Sequence, residues 1–107
     1  MIFGSNFNQP IDNLPNTIKH VTFGYNFDQP VNYLPNSILE LIFGRDFNQP
    51  IDKLPDSVEY LKFGQVFNKS LDKLPLSLKH LDLKRCQDEY IKIEAKYRIR
   101  TKADITI

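Results

Sequence analysis

With 107 residues, 41% hydrophobic and 12% aromatic, the chain is sized for one domain with a thin core. Its formal net charge of +1 excludes a partner chosen by bulk charge. Residues 1–82 hold seven Lys/Arg against nine Asp/Glu and residues 84–107 hold seven against four, neither approaching the clustered cations of a nucleic-acid footprint.

Phe-Gly pairs recur every twenty residues, at Phe3-Gly4, Phe23-Gly24, Phe43-Gly44 and Phe63-Gly64. They define units 3–22, 23–42, 43–62 and 63–82, and a fifth unit begins at Leu83 and decays where Lys84 replaces the glycine. Within a unit the apolar positions fall at Phe3, Phe7, Ile11, Leu14, Ile18 and Val21, a mixture of spacings that fits no long amphipathic helix. Pro10 and Pro15, with their counterparts, would break one as well. A closed coil with one extended side fits. Its apolar residues can be buried only if neighbouring coils stack on it.

The extended side is expected around residues 19–23, 39–43, 59–63 and 79–83, with Val21 and Phe23 inward and His20 and Thr22 outward. Equivalent strands would pair in parallel, ~4.8 Å apart. The prolines belong on the return path, off the ladder. The glycine column predicts either a turn with positive φ or a close approach at the strand end. Asn36-Ser37 and Asp56-Ser57 read as turn or short 3₁₀ starters. The fold class is therefore a repeat solenoid, mainly β with irregular or 3₁₀ return segments and a parallel sheet built from one strand per twenty-residue coil.

The Leu14-Pro15-Asn16-Thr17-Ile18 run, followed by Val21 and Phe23, resembles a short leucine-rich repeat. The fuller pattern, Phe-Asn-Gln-Pro-Ile-Asp-x-Leu-Pro-x-Ser-Ile, is similar to the FNIP repeat and stands at 7–18, 27–38, 47–58 and 67–78. Ser70 in place of proline and Leu76 in place of a polar residue depart from it in the last unit. The resemblance covers residues 1–83. It implies a leucine-rich-repeat-like solenoid, a protein-interaction role and an origin among amoebae or their large DNA viruses. Many members carry an F-box, so the resemblance also implies an alternative, a remnant of a ubiquitin-ligase substrate adaptor lacking that box.

Residues 84–107 do not repeat and read as a strand-rich cap or tail. Ile91, Ile93, Ala95, Tyr97 and Ile99 alternate with Lys92, Glu94, Lys96, Arg98 and Arg100, which favours a strand. A helix competes, because Cys86, Tyr90, Ile93 and Tyr97 also sit at helical spacing. Residues 101–104 could turn the chain, with Ile105-Thr106-Ile107 continuing the strand. The first coil has no comparable cap, which predicts self-association there or a truncated product.

No constellation of residues reads as chemistry. His20 and His80 share a repeat position but lie three coils, ~14 Å, apart, too far for one zinc ion. The columns Asn8/Asp28/Asn48/Asn68 and Asp12/Asn32/Asp52/Asp72 could be imagined as calcium ligands. They read instead as acceptors for backbone N–H groups in the Gln-Pro turns. Thr17, Ser37, Ser57 and Ser77 are turn-capping hydroxyls without a paired base. No enzyme, cofactor or metal is expected. Lone Cys86 can form neither an internal disulfide nor a metal pair. No stretch approaches the ~20 apolar residues of a membrane span and no secretory leader is visible. Asn68-Lys69-Ser70 is then a chance sequon, and the expected setting is intracellular and cytoplasmic.

What varies between units is the outward face. His20/Glu40/Tyr60/His80 and Thr22/Ile42/Lys62/Asp82 form two rows, with Tyr25, Arg45 and Gln65 beside the strand ends. A constant frame presenting varied side chains is how repeats bind partners. These eleven residues are the expected contact set for a protein partner, Tyr60, Ile42 and Tyr25 as apolar anchors and Glu40, Lys62 and Arg45 setting register. A structural or self-associating repeat without a dedicated ligand is the alternative.

Overall fold

A computed structural model describes residues 1–99 and 101–107. Each repeat contributes one three-residue strand: β1 His20–Thr22, β2 Glu40–Ile42, β3 Tyr60–Lys62 and β4 His80–Asp82. A helix, α1 Glu89–Tyr97, and a last strand, β5 Asp104–Thr106, follow. The five strands form one parallel sheet in chain order. The register does not slip: Val21 pairs with Leu41, Leu41 with Leu61 and Leu61 with Leu81. Ile2 bridges to Thr22 and carries the ladder into the first coil.

Only the middle residue of each strand turns inward. Val21, Leu41, Leu61 and Leu81 are fully buried while their neighbours stay partly exposed. Behind them the phenylalanines form two columns. Phe23, Phe43 and Phe63 stack with ring centroids 5.5 Å apart. Phe27, Phe47 and Phe67 stack at 6.1–6.2 Å. Within a coil the two columns touch, at 4.0 Å for Phe23–Phe27 and 3.8 Å for Phe43–Phe47. Near-parallel rings at these separations are the offset stacks that aromatic quadrupoles favour. The expected solenoid core is thus present, and residues twenty apart lie one above another.

The return path is made of single turns rather than 3₁₀ helices. Ile18, Ile38, Val58 and Leu78 each donate an N–H to the proline carbonyl three residues earlier, at 3.2–3.3 Å. The Ser37 and Ser57 hydroxyls do not cap their own turns. Each donates at 2.6 Å to a carbonyl of the preceding coil, Ile18 and Ile38 respectively. The glycine column resolves the same way. No glycine has positive φ, and a Cβ at Gly44 would fall on the Gly24 carbonyl, so close packing between coils is what requires glycine.

The Asn/Asp column also works between coils. Asn8 Oδ1 accepts the N–H of Asp28 at 2.9 Å, Asp28 Oδ1 that of Asn48 at 2.9 Å, and Asn48 Oδ1 that of Asn68 at 3.0 Å. Gln29 and Gln49 add side-chain amide bonds at 3.0 Å to Asn8 and Asp28. One of the two columns expected to serve local turns therefore forms a ladder along the stack, through Oδ1 of Asn8, Asp28 and Asn48. Asn48→Ala is expected to cost about 1 kcal/mol, because it removes the acceptor of the Asn68 N–H and interrupts the ladder at that rung. Urea denaturation followed by far-UV circular dichroism would measure it; a midpoint equal to that of Asn13→Ala, at an exposed turn position outside the ladder, would show that the ladder contributes nothing.

The tail corrects one expectation. Residues 89–97 form a helix, not a strand, and Arg100 lies outside the described residues. Asp88 caps the helix by accepting the Tyr90 N–H at 2.9 Å, and Glu89 and Lys96 suit the two ends of the helix dipole. The buried residues are Ile91 and Ala95, while Tyr90, Ile93 and Tyr97 face out. The helical face read from Tyr90, Ile93 and Tyr97 is therefore the exposed one. Leu83 and Cys86 are buried against this cap, and burial pushes the Cys86 thiol up to about 11, away from reactivity. Beyond the helix, β5 returns to pair with β4 and sets Ile105 beside Leu81.

Candidate functional site

The sheet lays the varied residues out in straight rows. His20, Glu40, Tyr60, His80 and Asp104 are successive register partners, as are Thr22, Ile42, Lys62, Asp82 and Thr106. All eleven expected contact residues reach the surface on or beside one sheet face, most of them half-buried by one another. Asp104 and Thr106 were missed by sequence reasoning, since nothing in the tail announces that β5 joins the ladder in register.

Much of this face is organised within the chain. The Tyr60 and His80 rings stack at 5.2 Å, 4° from parallel. The Tyr60 hydroxyl donates to Asp82 Oδ2 at 3.4 Å, and His80 Nε2 lies 3.0 Å from Thr106 Oγ1. Burial raises the Tyr60 phenol above its ordinary range, and the nearby Asp82 and Glu40 carboxylates push the same way. His20 Nδ1 sits 3.8 Å from Glu40. One end of the face is therefore a preordered aromatic and polar cluster.

The other side of the face runs along the glycine corner. Tyr25, Arg45 and Gln65 stand there as expected, joined by Arg85 at the same position of the fifth coil. Sequence reasoning overlooked Arg85 because Lys84 breaks the Phe-Gly signal just before it. The corner nevertheless persists: Asp46 donates its N–H to Tyr25, Val66 to Arg45 and Gln87 to Gln65, all coil to coil. Arg45 lies over the Tyr25 ring at 4.1 Å and binds Asp46 through Nε at 2.7 Å. That hydrogen bond raises the guanidinium pKa further, so its charge is constant.

The His80 imidazole and the Tyr60 and Thr106 hydroxyls are paired with stacking or hydrogen-bonding neighbours on the face. Among the described residues His, Cys, Asp and Glu nowhere gather in a group of three or more able to hold a metal, and no helix is long and apolar enough to cross a membrane.

The sequence matches the family model described as FNIP Repeat over residues 1–26, 7–46, 27–54 and 47–86, which together span the four repeats and the start of the fifth. The chain belongs to the FNIP repeat family. The FNIP coils are also similar in structure to a crystallised protein, CroV588, described as a novel circular LRR protein. The identity is 47% and the TM-score 0.69, over 76% of this chain and 13% of that one. The chain thus spans a small part of the relative's length, and the likeness joins FNIP repeats to the leucine-rich-repeat-like fold. No curated protein matches the chain.

Proposed function

We propose that this FNIP solenoid is a protein–protein interaction module that binds a partner through the outward face of its parallel sheet. The observation that carries the reading is the contrast between inward and outward positions. The inward columns keep Phe, Leu, Ile or Val from coil to coil, whereas the outward register partners run His20, Glu40, Tyr60, His80 and Thr22, Ile42, Lys62, Asp82. Stability needs no such variety, and recognition does. Tyr60, Ile42 and Tyr25 supply apolar contact, while Glu40, Lys62 and Arg45 fix orientation. Catalysis has no part in this reading, and the buried lone thiol of Cys86 suits a cytoplasmic setting.

The test is the double variant Ile42→Ala/Tyr60→Ala, compared with wild type as immobilised bait in extracts of the native host. Its circular dichroism should match wild type, since both side chains lie outside the core, with a small loss of stability from the Tyr60 contacts to His80 and Asp82. Partners retained by the wild type should be lost, an aromatic anchor being worth about 2 kcal/mol or more. An unchanged set of captured proteins would defeat the sheet-face reading. The competing reading, self-association through the first coil, predicts sedimentation that grows with concentration, where the sheet-face reading predicts one species.

A further inference from the structure

A groove of about 250 Å³ runs along the glycine corner. Gly24, Gly44 and Gly64 contribute backbone to its lining. The charged side chains lining it are Arg45, Lys62 and Arg85, and no carboxylate lines it. Asp46 holds Arg45 through Nε and Tyr25 supports its flat face, so the guanidinium is fixed while Nη1 stays available to a ligand. Asp82, the register neighbour of Lys62, accepts instead from the Tyr60 hydroxyl and from the Lys84 N–H at 2.9 Å. Among the described residues neither Lys62 nor Arg85 belongs to an ion pair. Ile42 and Tyr25 add apolar surface to the lining.

We infer that this groove takes an extended acidic segment of a protein partner, with carboxylates alternating with apolar side chains. This rests on the sheet-face reading and names the chemistry of its partner. Lys62 and Arg85, which have no ion-pair partner among the described residues, join the outer edge of Arg45 in complementing a run of carboxylates, and an arginine such as Arg85 pairs with carboxylate through two parallel N–H bonds. Alternation fits because an extended chain turns every second side chain to the same side. Each exposed ion pair contributes little alone. Binding is therefore modest, weakened by salt, and selective mainly through the sign of the charge.

The probe is a fluorescein-labelled peptide of about ten residues alternating glutamate and leucine. It is compared with serine–leucine and lysine–leucine peptides of equal length and with a single-stranded oligothymidylate of equal charge. Fluorescence anisotropy with the full chain is read at low and at high salt. The expected result is about tenfold tighter binding of the acidic peptide than of the serine peptide, with the difference shrinking at high salt. Lys62→Glu/Arg85→Glu should abolish the preference and Lys62→Arg/Arg85→Lys should keep it. If the charge reversal unfolds the chain, Lys62→Gln/Arg85→Gln serves in its place. Equal binding of the three peptides, an unaltered preference in the charge-reversed variant, or tighter binding of the oligonucleotide would overturn the inference. Loss of host partners in Ile42→Ala/Tyr60→Ala without loss in Lys62→Glu/Arg85→Glu would keep the sheet face and eliminate the acidic groove.

Discussion

Phe43→Ala is expected to destabilise the chain by about 3–5 kcal/mol, a large share of the ~5–15 kcal/mol that holds a typical domain together. Phe43 is 2% exposed. It stacks on Phe23 below and Phe63 above at 5.5 Å each, and on Phe47 at 3.8 Å within its own coil. Truncation removes the transfer energy of the ring, leaves a cavity, and breaks three aromatic contacts together. Because each coil is supported only by its neighbours, damage at the two coil interfaces that Phe43 joins should also broaden the transition. Urea denaturation read by far-UV circular dichroism would show a lower midpoint and a shallower slope. Phe3→Ala, at the half-buried start of the column, should cost less. A wild-type midpoint for the Phe43 variant would contradict the stacked core.

Gly44→Ala is the second large effect expected, about 2–3 kcal/mol or more, from adding one methyl group. The new Cβ would collide with the Gly24 carbonyl oxygen and sit 2.7 Å from its carbon. Both are backbone atoms, so no flexible side chain can yield and the coils must separate. Separation would strain the adjoining bonds from the Phe23 N–H to the Ile42 carbonyl and from the Asp46 N–H to the Tyr25 carbonyl. Gly4→Ala is the internal control, since nothing lies within 4 Å of the position its Cβ would take. That variant should be neutral or slightly stabilising through the unfolded chain. Thermal denaturation of the pair would decide: equal midpoints would show that the glycine column is not set by contact between coils.

The solenoid was legible because each twenty-residue unit repeats both its apolar positions and its breakers. Phe23, Phe43 and Phe63 could share a column only in a stack with one coil per unit. The glycine positions were legible as special, but the choice between positive φ and close approach depends on how near the next coil lies, and a single unit's sequence does not contain that distance. The same gap explains the Asn/Asp ladder and the serine hydroxyls. Asn8 and Ser37 were read as local turn acceptors and caps, whereas their partners lie about twenty residues away in the neighbouring coil.

The tail departs from the expected strand for a different reason. Its alternation from Ile91 to Ile99 satisfies a strand, yet Ile91 and Ala95 also satisfy a helix face at i, i+4. The deciding local signal was Asp88, an N-cap residue ahead of a run containing Glu, Lys and Ala, all good helix formers. The deciding tertiary factor was the open apolar end of the fourth coil, which the helix covers while satisfying its own backbone. Of the candidate face, the two strand rows and the residues beside the glycines could be read from the repeat alone. Arg85, Asp104 and Thr106 could not, because the repeat has ended where they occur and only the returning tail gives them their places.

The fold depends on parallel, in-register stacking of successive coils, and disulfide trapping tests that stacking most directly. In a Cys86→Ala background, Thr22→Cys paired with Ile42→Cys joins two register partners whose Cα atoms lie ~4.8 Å apart, within disulfide reach. Mild oxidation should close that bond within a single chain, rapidly and without loss of circular dichroism. Thr22→Cys with Lys62→Cys, two strands apart, should not close. Failure of the first pair to close, or equal closure of both, would contradict the stacked solenoid.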